Sequence, residues 1–183
     1  GSGLRAVALG AQHIQLGDSA IVVAGGQESM SLSPHVAHLR AGTKMGDMKF
    51  IDSMIYDGLW DPYGDQHMGN CAEICARHYS FTREEQDAFA RESYARARRA
   101  QESGLSAREI VAVEVPGRKG PTVVDKDEEP GKADLDRMPS LKPAFEKDGT
   151  VTAANASKID DGGAALVLTT AATAKRRGLK PIG

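Results

Sequence analysis

The stretch "TVTAANASKIDDGGAALVL" (residues 150–168) joins a loop of small and polar residues to a continuous apolar run. Its many alanines leave the loop backbone open to a bound group, and Asn155 and Ser157 can hydrogen-bond to loop backbone. The run over 162–170 predicts a sheet strand that follows directly. Composition alone leaves two interpretations of the loop open: it either binds a ligand or is shaped only for packing.

A second run of the same kind, "SAIVVAGG" (19–26), lies far upstream. Short continuous apolar runs indicate strands that are buried on both faces, as in a parallel sheet. A helix is predicted before this strand, over 4–16, with Gly17 as its stop. Its expected buried stripe is Leu4, Val7, Ala8, Ala11 and Ile14. A short helix over 171–178 follows the second strand.

Two such strand and helix pieces indicate an α/β fold with a doubly wound sheet, interrupted by an insertion. We expect residues 1–28 to be core, 29–158 to be an inserted domain, and 159–183 to return to the core. Two strands cannot make a sheet that hides both faces, so the chain is expected to be the middle of a larger protein.

The inserted segment is polar and rich in Gly, Pro and Asp. Helices are predicted over 67–78 and 83–103, and an edge strand over 109–115. Thr82 and Glu85 have capping-box spacing at the start of the second helix, and Gly104 is a natural C-terminal stop.

Composition argues against several partners. The net charge is −2 and aromatic residues are 5% of the chain, so neither a nucleic acid nor a membrane surface is an expected partner. No apolar run is long enough to span a bilayer. The two cysteines lie one helical turn apart, which fits a reducing, cytoplasmic compartment rather than a disulfide framework.

One cluster has the side chains of a metal site: His67, Cys71, Cys75 and His78 share an arc of one predicted helix. From 67 to 78 a helix rises about 16 Å, so it offers an ion only two neighbouring ligands at a time. We therefore expect the cysteines to be small buried hydrophobic residues. His67 differs, since at a helix start it can face a ligand cleft.

Five segments in order carry a resemblance to a known family. Four of them are "GSGLRAV" (1–7), "VVAGGQESMS" (22–31), "DGLWDPYGDQHMG" (57–69) and "LKPAFEKDGTVTAANAS" (141–157). Together with the segment quoted first, they resemble the thiolases. The resemblance implies a thiolase-like, layered αβαβα fold, of which this chain is a fragment: part of the N-terminal core sheet plus the inserted loop domain.

The resemblance also implies acyl transfer. Two acetyl-CoA would condense to acetoacetyl-CoA and CoA, or the reverse thiolysis would run, through an acyl-cysteine intermediate. The nucleophilic cysteine would stand immediately before Gly1, where small residues and a helix N-terminus suit a thiolate. A histidine and a second cysteine would lie in a C-terminal half that this chain lacks, so no catalytic residue is expected within it.

By resemblance, the chain holds mainly the coenzyme A side of the site. The pantetheine and acyl pocket would be lined by Leu59, His67 and Met68, and Tyr63 would be a further substrate-binding residue. The pantetheine arm would be held by Phe145, Ala153, Ala156 and Ser157. Lys132 and Arg137 would lie near the nucleotide end, where cations suit phosphate. In some members, positions matching Tyr63, Ala153, Ala154 and Ala156 hold a potassium ion. Lys158 departs from the small residue that is usual in the family.

His67-Met68-Gly69 resembles the short-chain members, so acetyl-CoA, acetoacetyl-CoA and CoA are the expected partners, and no cofactor is expected beyond potassium. The family implies a homo-oligomer, a tetramer or a dimer. Several alternatives remain: a longer-chain 3-ketoacyl-CoA thiolase, a ketoacyl synthase, a non-catalytic thiolase-like acyl-CoA-binding protein, and the metal-binding module.

Overall fold

The computed structural model describes residues 1–183, which form two compact units. The first unit contains Gly1–Gly58 and Ile159–Gly183, and the second is Leu59–Lys158. The helices are α1 (Ser2–Gln15), α2 (Met68–Tyr79), α3 (Arg83–Glu102), α4 (Glu129–Lys132) and α5 (Ala171–Arg176). The strands are β1 (Ile21–Ser29), β2 (His35–Val36), β3 (Ile51–Asp52), β4 (Trp60–Asp61), β5 (Gln66–His67), β6 (Val113–Val115), β7 (Thr122–Val124) and β8 (Asp161–Thr169).

The first unit is built on β1 and β8, which pair antiparallel from Ile21 opposite Thr169 to Ser29 opposite Asp161. The predicted strands are confirmed, but their expected parallel arrangement is wrong. A continuous apolar run specifies that a strand is formed and does not encode the direction in which it pairs.

Burial on both faces of these strands is also wrong for this chain. Ala24 is buried on the face that α1 covers, whereas Val23 and Val167 on the opposite face are 69% and 67% exposed. The reason is the alternation of a strand, which points successive side chains to opposite faces, while this unit supplies a covering helix on only one.

Helix α1 forms as predicted, but glycines rather than leucines make its close contact with the sheet. A Cβ on Gly10 would lie 3.0 Å from Val22 and 3.1 Å from Leu168. The expected stripe is wrong at Leu4, Ala8 and Ala11, which are exposed, because the glycine side of the helix faces the strands. Gly17 has a φ of +82° just beyond the helix, as its role as a stop requires.

The first unit extends past the predicted boundary at residue 28. A 3-10 turn over Met30–Leu32 follows β1. Ser31 donates its backbone N–H to Asp161 Oδ1 at 2.9 Å, and its hydroxyl also bonds to that carboxylate. These bonds tie the exit of β1 to the entry of β8, so residues 29–58 group with the first unit.

In the second unit, α2 and α3 confirm both predicted helices. The capping box at the start of α3 is complete: Thr82 Oγ1 accepts the Glu85 N–H, and the Glu85 carboxylate accepts the Thr82 N–H. Gly104 follows α3 with a φ of +74°. The predicted strand over 109–115 is right only for Val113–Val115, which pairs with β7 in a hairpin that the sequence did not indicate.

The expected burial of the two cysteines of α2 is wrong. Gly69, Glu73 and Ala76 are the buried residues of this helix, while Cys71 is half-buried and Cys75 is exposed. The buried face is therefore rotated away from the cysteines, toward an acidic side chain whose partners lie in the loop described below. None of the five helices has the length and apolar character needed to cross a membrane.

Candidate functional site

The hairpin of β4 and β5 brings together the first group of candidate residues. Trp60 is opposite His67 in the ladder, and Leu59 precedes Trp60 as the last residue of a π-helical turn over Met54–Leu59. Met68 follows His67 as the first residue of α2 and is 43% exposed. The hairpin thus places His67 opposite Trp60, with Leu59 and Met68 next to them in the chain, and the lining of a pocket by these residues stays a prediction.

His67 is fixed by two contacts. Its Nδ1 accepts the backbone N–H of Gly69 at 2.9 Å and caps α2. Its ring lies against that of Phe145, with centroids 4.8 Å apart. In a neutral histidine, the hydrogen bond made by one ring nitrogen determines which nitrogen carries the proton. Because Nδ1 accepts this bond, a neutral His67 carries its proton on Nε2. The ring therefore offers an Nε2–H donor to a ligand.

Phe145 reaches His67 because Gly69 has no side chain. A Cβ at Gly69 would overlap the Phe145 ring. Asn70 Nδ2 also donates to the Phe145 carbonyl oxygen at 3.5 Å. The start of α2 and the segment around residue 145 are therefore closely fitted, which brings together two predicted site residues 78 positions apart, His67 and Phe145.

Glu73 holds the loop over 150–157, which is the first part of the segment 150–168. Its carboxylate is 2% exposed and accepts the Thr150 N–H at 2.9 Å, the Val151 N–H at 2.8 Å and the Thr150 hydroxyl at 3.0 Å. Burial acts to raise the pKa of Glu73, but the hydrogen bonds from Thr150 and Val151, with the charge of Arg77, outweigh it and hold that pKa below its ordinary value. The carboxylate is thus an ionised clamp between α2 and the loop.

A second set of bonds holds the same loop to α3. Asn155 Oδ1 accepts the Thr152 N–H at 2.7 Å, which confirms its predicted bond to loop backbone, and its Nδ2 donates to Asp87 at 2.9 Å. Asp87 is 6% exposed and pairs with Arg83 at 2.8 Å. Buried polar groups are stable only when they are paired in this way.

Between these anchors, the small-residue part of the loop faces outward. Ala153 and Ser157 are exposed, while Ala154 and Ala156 are half-buried. The Ala156 N–H donates to the Thr152 carbonyl at 2.9 Å, which closes a tight turn. A rigid turn with small side chains and an exposed hydroxyl suits a narrow chain with polar groups, such as a pantetheine arm.

The segment of Lys132 and Arg137 is held by arginines of α3. Arg98 donates to the carbonyl oxygens of Pro130 and Ala133 at 2.7 and 2.8 Å. Arg83 donates to those of Met138 and Leu141, and Arg91 donates to that of Leu135. We call these three side chains, Arg83, Arg91 and Arg98, the arginine row.

The two predicted phosphate contacts differ in their surroundings. The Lys132 ammonium lies 2.7 Å from Glu128 and 3.8 Å from Glu129. Arg137 is exposed, and its backbone N–H donates to Asp134 at 3.3 Å. An exposed guanidinium on a fixed segment can bind a phosphate directly. Lys132 would first have to leave its acidic neighbours.

The predicted potassium ligands do not form a cage. Tyr63 is 99% exposed, so its side chain reaches none of the three alanines. The carbonyl oxygen of Ala153 instead accepts the Lys158 ammonium at 2.6 Å. The residues present therefore do not fit a free potassium ion at this loop. No three His, Cys, Asp or Glu side chains converge to hold a metal ion either.

No sequence pattern indicated Glu73, Asp87 and Arg83, the buried and half-buried charges that hold the loop. Arg83 and Asp87 have helical i,i+4 spacing, but this spacing is typical of solvated pairs as well. Glu73 lies four residues after the buried Gly69. This spacing indicates a buried glutamate only if the buried face of α2 is already known. Of the group around the loop, only Asn155 was indicated by its own residue type.

Comparison with known proteins places this architecture in a class. The family model "Thiolase, N-terminal domain" matches residues 1–172. The chain belongs to the thiolase family.

Individual relatives support this family assignment. Acetyl-CoA acetyltransferase from Paracoccus denitrificans is 55% identical over 183 residues, which is all of this chain and 47% of that protein. The protein of the same name from Rhizobium meliloti (strain 1021) is 56% identical with the same coverage. The chain thus spans about half the length of the curated relatives it matches.

A solved structure confirms the thiolase-like α/β fold. The crystal structure of Acat5 thiolase from Ascaris suum in complex with coenzyme A matches with a TM-score of 0.88 and 43% identity. The match covers 99% of this chain and 46% of the other. The fold expected from the ordered segments is therefore correct, although the two strands of the first unit pair antiparallel.

Proposed function

We propose that the protein carrying this chain is an acyltransferase that condenses two acetyl-CoA to acetoacetyl-CoA and CoA, or runs the reverse thiolysis. In this proposal the unit Leu59–Lys158 binds coenzyme A. One observation carries it: the small-residue turn after Thr152 is exposed, yet it is anchored through Glu73 and Asn155 to two helices. The name shared by the relatives, acetyl-CoA acetyltransferase, supports the acyl group.

The start of α1 suits a thiolate at the position before Gly1. The helix begins at Ser2, and no side chain caps its first turn. Its first backbone N–H groups are thus available to a preceding residue, and the helix dipole favours a negative charge there. A cysteine at that position would have a lowered pKa and would be the nucleophile that accepts the acyl group.

The residues of the second unit would bind and orient the thioester. His67, with its proton on Nε2, would donate a hydrogen bond to a thioester or CoA oxygen. Met68 beside it would narrow the acyl pocket and favour short chains. Ser157 and the flanking alanines would hold the pantetheine arm, and Arg137 would bind a phosphate of the nucleotide.

The first experiment is to trap the acyl-enzyme. The full-length protein is incubated with acetyl-CoA and analysed by peptide mass spectrometry; an acetyl group on a cysteine that immediately precedes Gly1 is expected. Steady-state thiolysis of acetoacetyl-CoA should show the parallel lines of ping-pong kinetics. CoA binding without any acyl adduct would overturn the proposal and favour the non-catalytic acyl-CoA-binding alternative.

The acyl chain length is tested separately. Thiolysis rates are compared across 3-ketoacyl-CoA substrates of increasing length, with His67→Ala as a variant. The pocket of His67 and Met68 predicts that kcat/KM falls steeply beyond the four-carbon substrate. Equal or faster thiolysis of long chains would contradict the short-chain assignment and favour the longer-chain alternative.

A homo-oligomeric assembly and a cytoplasmic location belong to the same proposal. The two thiols, Cys71 and Cys75, are free, which is consistent with a reducing compartment. Light scattering of the full-length protein tests the assembly, and a monomer would contradict it.

A further inference from the structure

Lys158 lies at the end of the small-residue loop and turns back onto it. Its ammonium donates to the Ala153 carbonyl oxygen at 2.6 Å. The same nitrogen lies 5.9 Å from the ring centroid of Tyr94, a residue of α3. A main-chain oxygen and an aromatic face are two groups that attract a cation.

Other polar groups of the loop bond to each other, and the Ala153 carbonyl oxygen remains available to the lysine. The Ala154 and Ala156 N–H groups donate to Thr152, and the Thr152 N–H donates to Asn155. These bonds fix the direction of the backbone between 152 and 156, which includes the Ala153 carbonyl group. The ammonium thus completes a turn that is otherwise held by its own residues.

We propose that the Lys158 ammonium is the built-in cation of the loop over 153–158, so that this loop closes without a free monovalent metal ion. A covalently attached ammonium carries the same charge as such an ion and is present at a high effective concentration. The loop would therefore be equally ordered in potassium-containing and potassium-free buffer. This inference concerns the order of the loop and does not depend on acyl transfer.

The test compares salts at constant ionic strength. Hydrogen–deuterium exchange of peptides covering 150–158 is measured for the full-length protein in potassium chloride and in tetramethylammonium chloride. The variants are Lys158→Ala, which removes the ammonium, and Lys147→Ala as the control, since Lys147 is an exposed lysine of the same unit. Melting temperature is recorded in parallel in each salt.

We expect the wild-type loop to exchange at the same rate in both salts. Lys158→Ala should exchange roughly tenfold faster in tetramethylammonium chloride, the lower end of the range for a hydrogen bond from a charged group, because this bond is exposed. Potassium should restore part of this protection, because the Ala153 oxygen is then open to a free ion. Lys147→Ala should match the wild type.

Three results would overturn the proposal. The first is a wild-type loop that is better protected in potassium, since a free ion would then bind despite Lys158. The second is no loosening in Lys158→Ala. The third is loosening that potassium does not reverse, which would make Lys158 an ordinary hydrogen-bond donor. If the variant does not fold, the wild-type comparison of salts decides alone.

Discussion

Replacing Glu73 tests whether the loop over 150–157 is held from α2. Three donors end on its carboxylate: two backbone N–H groups and one hydroxyl, all between 2.8 and 3.0 Å. Bonds to a charged acceptor contribute about 1.5–3 kcal/mol each, and they do not add fully because one group serves all three. We therefore expect Glu73→Gln to lower the free energy of unfolding by about 2–4 kcal/mol. The amide keeps one acceptor oxygen, but its NH₂ group would face the N–H and O–H donors of the loop and could not accept from them.

The same variant has a distinctive pH dependence. The folded-state pKa of Glu73 lies below its ordinary value of 4.5, so the carboxylate stabilises the folded state above that value. This contribution is lost as the pH falls through the lowered folded-state pKa. The difference in stability between wild type and Glu73→Gln should therefore be constant near neutral pH and shrink below about pH 4.5.

The assay combines a global and a local measurement. Urea unfolding, followed by circular dichroism, gives the free energy across this pH range, and hydrogen exchange of peptides over 148–157 reports local opening of the loop. Glu102→Gln, at an exposed position on α3, is the matched control and should change stability by less than about 0.5 kcal/mol. If Glu73→Gln behaves like this control, or if only peptides outside the loop open, the clamp described here is refuted.

Three further changes test close fits and a cap. Gly25→Ala places a methyl group against the backbone of β8 and should cost about 2 kcal/mol or more in thermal unfolding, whereas Gly163→Ala, whose Cβ meets only ordinary contacts, should be near neutral. Gly69→Ala should displace the Phe145 ring from His67 and weaken CoA binding, measured by calorimetry. Gly58→Ala, at a position with open space, is its control, and equal CoA affinities of the two variants would contradict the close packing of Phe145 on Gly69. Thr82→Ala should cost about 1 kcal/mol in urea unfolding through the loss of the cap of α3, and an unchanged midpoint would argue against it.

The elements that the sequence predicted well carry their own local signals. Helix α3 has both a capping box and a glycine stop, and α1 ends at a glycine in the left-handed region. The strands β1 and β8 are indicated by apolar runs between glycines and polar turns. Such signals depend on residues close in the chain, which a single sequence shows directly.

What the sequence did not reveal depends on partners far apart in the chain. Glu73 meets its donors 77 and 78 positions later, and nothing in α2 distinguishes it from a solvated glutamate. The antiparallel direction of β8 likewise depends on the path of the chain between 29 and 161. The residues of the candidate site were predicted from ordered motifs, whereas the side chains that anchor its loop became visible only in the structure.

The arginine row bears on how freely the sequence of one segment can change. Its bonds to this segment end on main-chain oxygens of residues 130–141, which every residue type supplies. Exposed side chains there can therefore be exchanged while the path of the backbone is kept, but Pro130 and Met138 are buried and are not among them. Such a stretch lends itself to mutational libraries: new groups placed at exposed positions such as 132 and 137 would be displayed at the surface without rebuilding the helix that supports them.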